Sequence, residues 1–403
     1  MWEQIRANKR RAAVLAGAIA AILIFLGWWL GMNFLGDARI GLAAALTVWF
    51  GMLLVSYFAG DSLFLAMSRA RRIKPDAHPI LYNIVEEMKI AAGLAHMPEI
   101  YIIDDPAMNA FATGRSPEKA AIVVTSGLLE SLDRDQLQGV VAHEMAHIQN
   151  RDVFYMMIVG VMVGTIAILA DIARRYLFYG GRGRRRTSGS GGGQAQVILM
   201  LIGLALMLLA PFLAQLVYFA CSRRKEYLAD ACAAAYTRFP EGLAGALEKI
   251  ASKPILMAAA IKPLAPMYIV NPLKIKAMGL ADITSTHPPI SERIRILRSM
   301  SGGAAFKDYD RAFRKVTHRP VGVIPFSALQ DDTPRAERQP QPQSETPLQQ
   351  MRLATDALWH LNQFIFIACS CGTKLKFPPS FLGKRIPCPH CQTEHLVTAK
   401  AAS

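Results

Sequence analysis

Four long apolar runs constrain this chain more than any other feature of its sequence. The first, residues 12–34, holds 23 residues without a charge, and the second, residues 40–60, holds 21. Both exceed the roughly 20 residues that an α-helix needs to cross a bilayer. With 52% hydrophobic and only 19% charged residues, the chain is richer in apolar side chains than typical soluble domains. The sequence therefore predicts a mainly α membrane protein.

The charges around the first two runs predict their orientation. Basic residues flank the pair on both outer sides, namely Arg6, Lys9, Arg10, Arg11, Arg69, Arg71, Arg72 and Lys74. The connector between the runs carries only Asp37 and Arg39, so the positive-inside rule predicts that both ends are cytoplasmic. Because the first run is longer than the apolar part of a signal peptide and a second run follows closely, we expect an uncleaved hairpin over residues 1–66.

The basic balance of the chain fits the same interpretation. The formal net charge is +15, and part of it comes from the residues that flank the hairpin. We interpret this charge as attraction to anionic lipids. No motif indicates nucleic-acid binding, so the bilayer is the expected partner and nucleic acid is not.

The third and fourth apolar runs are residues 153–170 and 197–220, with 18 and 24 residues. Eighteen residues rise about 27 Å, which is marginal against a hydrocarbon core of roughly 30 Å. An arginine-rich loop with a glycine-serine stretch lies between them, and if both runs cross, its arginines lie outside against the charge rule. A re-entrant or surface-lying pair is the alternative, and we expect two further spans.

A zinc-binding motif lies just before the third run. In H-E-x-x-H, His143 and His147 are four residues apart, on one face of a helix, and each can bind zinc through one ring nitrogen. Residues 134–142 carry Asp135 in a first turn and apolar residues at helical spacing, which places the motif inside a helix. Glu144 borders the open metal position, where its carboxylate can take a proton from water that the metal activates. This is the chemistry of peptide hydrolysis.

Two histidines are too few to hold zinc, and acidic residues follow the fourth run. Glu226 and Asp230 are four residues apart on an alanine-rich helical stretch. A glutamate ligand with an aspartate that orients a histidine would complete a site of two histidines and one glutamate. By spacing alone, Glu226 ranks above Asp230 and Glu248. The alternative is an interfacial helix whose acids pair with nearby arginines.

Five separated motifs resemble one family. They are P-A-M-N-A-F-A-T-G at 106–114, H-E-M-A-H-I-Q-N-R-D at 143–152, S-R-R-K-E-Y-L-A-D at 222–230, M-Y-I-V-N-P at 267–272 and S-T-H-P-P-I-S-E-R-I at 285–294. In this order they resemble the HtpX family of membrane-bound zinc endopeptidases, whose catalytic core is similar to that of the CAAX prenyl endoprotease. The resemblance covers residues 1 to about 300.

The resemblance implies a fold, a site and a function. It implies a helical, zincin-like catalytic domain of the gluzincin type, with zinc bound by His143, His147 and Glu226 and with Glu144 as the catalytic base. It also implies quality control of damaged or misfolded membrane proteins, cut on the cytoplasmic side of a bacterial inner membrane. Protein or peptide substrates are the expected partners, and no specific substrate follows.

A small sheet is expected beside the motif. Residues 100–104 and 121–125 are β-branched, strand-like runs, and the stretch between them predicts an exposed edge strand. Such an edge can bind an extended substrate backbone, so we expect Asn109, Ala110 and Phe111 to contact substrate. A buried hairpin is the alternative. His287 precedes two prolines, and we interpret it as a helix-entry residue or as support for a ligand rather than as a fourth ligand.

Four cysteines near the C-terminus suggest a second metal site. They form two close pairs with 16 residues between them, namely Cys369, Cys371, Cys388 and Cys391. The pattern suits a closed tetrahedral zinc site and resembles a zinc ribbon, although the first pair is tighter than C-x-x-C. A disulfide pairing is the alternative, which a reducing cytoplasm disfavours. His390 or His395 could replace a cysteine, and Cys221 and Cys232 are expected to be buried free thiols.

These observations divide the chain into four parts. We expect a transmembrane hairpin over residues 1–66, a protease domain over 67–315 that two further apolar segments interrupt, a disordered linker over 316–350 and a zinc-ribbon module over 351–403. The expected cofactors are one catalytic and one structural zinc ion. The main hypothesis is a zinc endopeptidase. The alternative is an inactive membrane adaptor with structural zinc sites, whose ribbon recruits a client protein, and the intact Glu144 favours the enzyme.

Overall fold

The structure is a computed structural model that describes residues 2–32, 36–154, 223–253, 255–257, 268–269, 287–300, 302–341 and 345–398. The predicted spans over residues 153–170 and 197–220, with the arginine-rich loop between them, lie outside the described residues except for Val153 and Phe154. The described part is mainly helical, as the sequence predicts.

Two N-terminal helices, α1 (Trp2–Leu30) and α2 (Ala38–Met67), pack against each other. The contact is close because glycines meet there: a Cβ built on Gly27 would lie 2.4 Å from the carbonyl oxygen of Gly41. The Trp49 indole also donates a hydrogen bond to the carbonyl of Ala16, at 3.1 Å. Within the described ranges, α2 is the helix that is long and apolar enough to cross a membrane, and α1 contributes a shorter apolar segment, Ala16–Trp29.

A four-stranded sheet follows the helical pair. Its strands are β1 (Arg71–Arg72), β2 (Glu99–Ile103), β3 (Ala110–Thr113) and β4 (Ala121–Thr125), in the order β1-β2-β4-β3. The two predicted strand-like runs become β2 and β4, which pair in parallel, and β3 pairs antiparallel with β4 at the edge of the sheet.

The other described helices form, with the sheet, the part of the chain that we call the catalytic unit, after the predicted protease domain. They are α3 (Pro79–Ala92), α4 (Ser126–Ser131), α5 (Arg134–Gln149), α6 (Arg223–Thr237), α7 (Pro240–Ser252), α8 (Ile290–Arg298), α9 (Phe306–Thr317), α10 (Phe326–Gln330) and α11 (Pro347–Leu361). The α5 helix starts with a capping box, because the Asp133 side chain accepts from the Gln136 backbone amide and the Gln136 side chain accepts from the Asp133 backbone amide. Contacts with α3, α6, α7 and β3 surround it, so its motif lies in the centre of the fold.

The base of α2 packs against the sheet. Phe64 belongs to one buried cluster with Phe111 of β3 and Val123 of β4. Tyr57 lies earlier on α2, and the centre of its ring is 5.3 Å from the Arg115 guanidinium. The candidate membrane helix and the edge strand therefore share one buried cluster.

A strap of residues 332–341 crosses the ends of α5 and α6. Arg338 donates hydrogen bonds to Asp135 Oδ1 at 2.7 Å, to Gln138 Oε1 at 2.6 Å and to the Thr237 carbonyl at 2.9 Å. Its guanidinium also lies 4.8 Å from the ring centre of Phe239. The structure differs here from the interpretation of residues 316–350 as a disordered linker. Arginine bonds to carboxylates and carbonyls can hold a segment that has few apolar residues.

The C-terminal ribbon consists of two hairpins beside α11. One pairs β5 (Ile365–Ala368) with β6 (Lys374–Phe377), and the other pairs β7 (Arg385–Pro387) with β8 (Glu394–Leu396). Lys374 and Lys376 bind Asp356 of α11, at 2.9 and 2.5 Å. The α11 helix packs against α4, and its Ala354 and Ala357 belong to the main hydrophobic cluster of the catalytic unit. The ribbon is thus attached to the catalytic unit through this helix.

Candidate active site

The structure brings together three of the residues that the sequence suggests as metal ligands. His143 and His147 lie one turn apart on α5, with their Nε2 atoms 3.3 Å apart. Glu226 comes from the first turn of α6, and its two carboxylate oxygens lie 3.6 Å from His143 Nε2 and 3.6 Å from His147 Nε2. One ligand atom from each residue falls within 4.8 Å of the others.

The spacing of these three groups fits a zinc ion. A tetrahedral ion with bonds of about 2.0 to 2.2 Å separates its ligand atoms by roughly 3.3 to 3.6 Å. The observed separations fall in that range. Glu226 Oε2 is buried without a hydrogen-bond partner in the part of the chain that the structure describes. Buried nitrogen and carboxylate donors that converge in this way can hold a metal ion.

Carboxylates fix the far side of each histidine. Asp230 Oδ1 lies 3.0 Å from His143 Nδ1, and Asp152 Oδ2 lies 3.4 Å from His147 Nδ1. A carboxylate on Nδ1 keeps the proton there and leaves Nε2 to bind a metal. The sequence suggested Asp230 for this position. It gave no separate reason for Asp152, although that residue ends the motif at 143–152.

A buried arginine organises the acidic side of the site, and the sequence analysis missed it. Arg293 of α8 has no exposed surface and donates to both oxygens of Asp230, at 2.8 and 2.6 Å. Its Nη1 lies 3.6 Å from Glu226 Oε2, and His287 Nε2 lies 3.9 Å from the same oxygen. Both residues belong to the motif at 285–294, which was the available signal, but only the packing of α8 brings the guanidinium to α6.

Burial and the neighbouring histidines act in opposite directions on the pKa values of Glu144 and Glu226. Glu144 is 2% exposed, and burial raises the pKa of its carboxyl against the opposing effect of the two histidines. Burial also acts to raise the pKa of Glu226, but His287, His143 and His147 outweigh it and hold that pKa well below its usual range. Glu144 is therefore the better proton acceptor near neutral pH, and Glu226 the better anionic ligand.

His143 shows how strongly the site attracts positive charge. Burial lowers the pKa of His143, but the nearby carboxylates of Asp230 and Glu226 outweigh burial and raise the pKa to about 9. Groups that stabilise a proton on the imidazole also stabilise a divalent cation that displaces it.

The edge strand β3 lies beside Glu144. The Ala112 amide donates to the Glu144 carboxylate, and the Ala110 carbonyl accepts a 3.0 Å hydrogen bond from the Ile269 amide. The edge position agrees with the prediction, but the expected exposure is wrong, since all four residues of β3 are buried. The reason is packing, because the Phe111 ring packs edge-on against Tyr268 and belongs to one buried cluster with Phe64.

The cysteine cluster has the spacing of a second metal site. Cys369 Sγ lies 3.3 Å from Cys391 Sγ, and Cys371 Sγ lies 3.8 Å from Cys388 Sγ. Tetrahedral zinc with bonds of about 2.3 Å to sulfur separates the sulfurs by roughly 3.8 Å. All four are free thiols, so the disulfide alternative does not hold in this structure, and the four sulfurs lie within 4.8 Å of one another.

A histidine and a threonine lie beside the cysteine sulfurs. His395 Nε2 lies 3.1 Å from Cys369 Sγ, which keeps a histidine near the cluster as the sequence suggested. The hydrogen bond with the Thr373 hydroxyl lowers the pKa of Cys371 to about 5. Cys232 is a buried free thiol, as predicted, and Cys221 lies outside the described residues.

Comparisons with known proteins agree with this geometry. The sequence pattern of peptidase family M48 matches residues 75–301, a range that contains both histidines and Glu226. The chain is 43% identical over 299 residues to a protease HtpX homolog from Dictyoglomus thermophilum, which covers 74% of this chain and 94% of that protein. It is 41% identical over 307 residues to one from Listeria monocytogenes, which covers 74% of this chain and 100% of that protein.

A solved structure shows a weaker likeness. The crystal structure of S. mikatae Ste24p aligns with a TM-score of 0.40 and 18% identity, over 74% of this chain and 67% of that chain. The family match itself ends at residue 301, before the strap and the ribbon.

Proposed function

The chain belongs to peptidase family M48 and is a zinc metalloendopeptidase, and from this we propose that it cuts membrane or misfolded proteins on the cytoplasmic side of a bacterial inner membrane. The observation that carries the proposal is the convergence of His143, His147 and Glu226 beside the buried Glu144. In this proposal the first three bind the catalytic zinc and Glu144 is the base.

The chemistry follows from these positions. A zinc ion held by the three ligands would lower the pKa of a water molecule and polarise the carbonyl of the scissile peptide. Glu144, whose pKa burial raises, takes the proton from the attacking water and gives it to the leaving amine. Its place between the two histidine ligands in the sequence puts it at the open side of the site.

The remaining polar residues position the ligands. Asp230 and Asp152 hold the Nδ1 protons of the histidines, so each Nε2 points toward the zinc. Arg293 is fully buried and binds both oxygens of Asp230, which compensates a carboxylate that would otherwise be costly in this interior.

We propose that β3 binds the substrate backbone. Asn109, Ala110 and Phe111 were the expected contacts. The Asn109 carbonyl accepts from Thr125 of β4, so it faces into the sheet, whereas the Ala110 carbonyl and the Ala112 amide face away from it. An extended peptide can add to these outward groups. Since Ile269 donates to the Ala110 carbonyl and the Ala112 amide donates to Glu144, binding requires that both bonds be exchanged for bonds to the substrate.

The proposed cytoplasmic placement of the catalytic unit rests on the basic residues that flank the hairpin and on the packing of α2. Basic residues flank the hairpin of residues 1–66 on its outer sides, which favours cytoplasmic ends, and the catalytic unit follows α2 directly. Because Phe64 of α2 and Phe111 of β3 belong to one buried cluster, the edge strand beside the site lies near the base of this helix. Substrate segments that leave the bilayer nearby are therefore within reach, which supports a role in membrane-protein quality control.

We also propose a structural zinc ion in the ribbon, bound by Cys369, Cys371, Cys388 and Cys391. A module this small has little apolar core, so metal binding supplies its folding energy. The inactive adaptor is not favoured, because membership of a peptidase family and an intact Glu144 both support an enzyme.

Cleavage by detergent-purified protein tests the proposal. Casein and a purified membrane protein should be cut, a chelator should stop cleavage, and added zinc should restore it. Glu226→Ala should lose catalytic zinc and activity, whereas Glu248→Ala, which removes an exposed acid of α7, should keep both. Full catalytic zinc content in Glu226→Ala would move the ligand role to another residue.

A further inference from the structure

The end of the ribbon opposite its cysteines carries exposed apolar and basic side chains. We call residues 378–385 together with Leu396 the ribbon tip. Phe381, Leu382 and Leu396 are 37%, 52% and 50% exposed. Lys384 Nζ lies 4.9 Å from the centre of the Phe381 ring, and Arg385 pairs directly across from Leu396. The tip therefore combines an apolar surface with two cations.

The tip is separated from the cysteine cluster. Cys369 and Cys371 flank the turn between β5 and β6, and β6 then runs four residues away from them, about 13 Å at 3.3 Å per residue. At its end, the Phe377 ring stacks on the Phe381 ring, with centres 6.3 Å apart. Cys369 and Cys371 thus lie at the opposite end of this hairpin from the Phe381 ring.

The tip also lies at the end of the ribbon that meets the base of α2. Arg71, four residues after α2, donates a 2.6 Å hydrogen bond to Asn362 Oδ1. Asn362 immediately precedes the ribbon, whose Ile365 pairs with Phe377 across β5 and β6. A continuous set of contacts therefore connects the segment below the candidate membrane helix to the ribbon tip.

The ribbon cannot swing freely about this point. His360 of α11 stacks on Phe366 of β5, with ring centres 3.9 Å apart, and Lys376 Nζ lies 4.5 Å from the Trp359 ring centre. With the ion pairs to Asp356, these contacts hold the first hairpin against α11. The position of the tip is set by packing and not by a flexible tether.

Charge favours a lipid surface as the occupant. Lys384 and Arg385 are exposed, and the described acid near them is Glu394, 4.0 Å from Arg385 and itself exposed. The basic residues that follow α2 extend the same sign of charge. Phenylalanine and leucine beside lysine and arginine suit the boundary of an anionic bilayer, where acyl chains and phosphates lie side by side.

We propose that the ribbon tip docks on the anionic surface of the membrane that holds α2. Phe381 and Leu382 enter the headgroup region, and Lys384 and Arg385 bind lipid phosphates. The inference rests on the membrane placement in the proposed function but is independent of the peptidase chemistry. It gives a role to a C-terminal extension that lies beyond the family match.

Hydrogen exchange on the full-length protein in nanodiscs tests the docking. Amides of the tip should exchange about 30-fold more slowly in discs that contain phosphatidylglycerol than in pure phosphatidylcholine, given two cations near an anionic surface. The double variant Lys384→Glu/Arg385→Glu should lose this protection, and so should 0.5 M salt. Arg352→Glu, which reverses an exposed charge on α11, should keep it.

Controls keep the outcome clear. Zinc content and exchange at β5 and β6 show whether each variant keeps a folded ribbon, and Phe381→Ser/Leu382→Ser provides a second test that leaves the charges in place. Equal exchange of the wild-type tip in both lipids, or protection that survives charge reversal, overturns the proposal. Protection that appears only when a protein substrate is added also overturns it and assigns the tip to a client. Cleavage of a soluble peptide should be the same in both lipids, so a failure of docking is distinct from a failure of the proposed chemistry.

Discussion

The histidine–glutamate cluster and the cysteine cluster present metal-ligand atoms at similar spacing, but their surroundings differ. His143 lies on a helix that is packed on all sides, and Asp230 and Arg293 behind it are fully buried. Cys371 and Cys391 are exposed on short turns. The buried hydrophobic cluster of the ribbon has only Leu375 beside Cys369 and Cys388. We infer that packing positions the metal ligands in the catalytic unit, whereas metal binding by the cysteines stabilises the fold of the ribbon.

This contrast separates two uses of metal. A large core can place charged groups in a low-dielectric interior and leave one metal position open for chemistry. A small module that cannot bury enough apolar surface closes the metal shell and gains its stability from binding. The predictions below test this division, from the largest expected effect to the smallest.

Removal of metal should unfold the ribbon but leave the helices around the histidine–glutamate cluster folded. Structural zinc in small modules contributes about 10 to 16 kcal/mol, so a chelator should unfold the ribbon, while α5 and α6 stay folded. Hydrogen exchange measures both regions in one sample. Cys388→Ser/Cys391→Ser should reproduce the ribbon result without a chelator and leave catalytic zinc bound. Protected ribbon amides in metal-free protein would contradict the contrast.

Glu144→Gln should separate chemistry from metal binding. Loss of an acid–base group lowers the rate by about 100-fold to 10,000-fold, whereas the metal ligands are untouched. The measurement is kcat on an unstructured peptide together with zinc content. Glu248→Gln, at an exposed acid that pairs with Arg298, serves as the control and should keep wild-type activity. Cleavage by Glu144→Gln at the wild-type rate would remove this residue from the mechanism.

The carboxylates that contact the Nδ1 atoms of the histidines should increase zinc affinity, and the closer carboxylate should increase it more. Asp230→Asn should weaken zinc binding by about 10-fold to 100-fold, the range for groups that orient a ligand. Asp152→Asn should cost less, because its oxygen lies 3.4 Å from the imidazole instead of 3.0 Å. Chelator competition on a variant without ribbon cysteines gives both values. Equal losses would show that distance to the histidine does not control the effect.

The strap should stabilise the catalytic unit and leave the ribbon metal unchanged. Arg338→Ala removes hydrogen bonds to Asp135 and to the Thr237 carbonyl, so we expect a loss of about 1 to 2 kcal/mol in the free energy of unfolding. Denaturant unfolding of the protease helices measures it. Arg311→Ala, at a side chain 76% exposed that pairs only with Asp308 in the described structure, is the matched control. Equal stability of the two variants would mean that the strap rests on the surface without holding it.

The elements that could be predicted from the sequence are those that a pattern of nearby residues marks. The helix around His143 is marked by Asp135 in its first turn and by its apolar spacing, and β2 and β4 are marked by β-branched runs, so these elements follow from nearby residues. The position of Glu226 followed from the motif at 222–230 together with the family resemblance. The division into domains stays a prediction, as do the individual roles of the site residues.

Contacts between distant segments explain what the sequence could not show. Arg293 reaches Asp230 only because α8 packs beside α6, and no local pattern marks an arginine for burial. The strap has the composition of a disordered segment, since its contacts use arginine and backbone instead of apolar side chains. Because the strap and α11 pack on the catalytic unit, a truncation after Gln330 would remove parts of that unit, whereas one after Asn362 would remove only the ribbon.

The buried cluster that Phe64 shares with Phe111 fixes the height of the edge strand relative to the candidate membrane helix. The apolar run within α2 ends at Gly60, and Phe64 lies four residues later, about 6 Å further along the helix axis. An extended chain advances about 3.3 Å per residue, so a few residues beyond the bilayer suffice to bring a substrate backbone to this depth. The height of the cutting position is then a fixed length, and we expect cleavage sites in membrane substrates to fall at a near-constant distance from the end of the adjacent transmembrane segment.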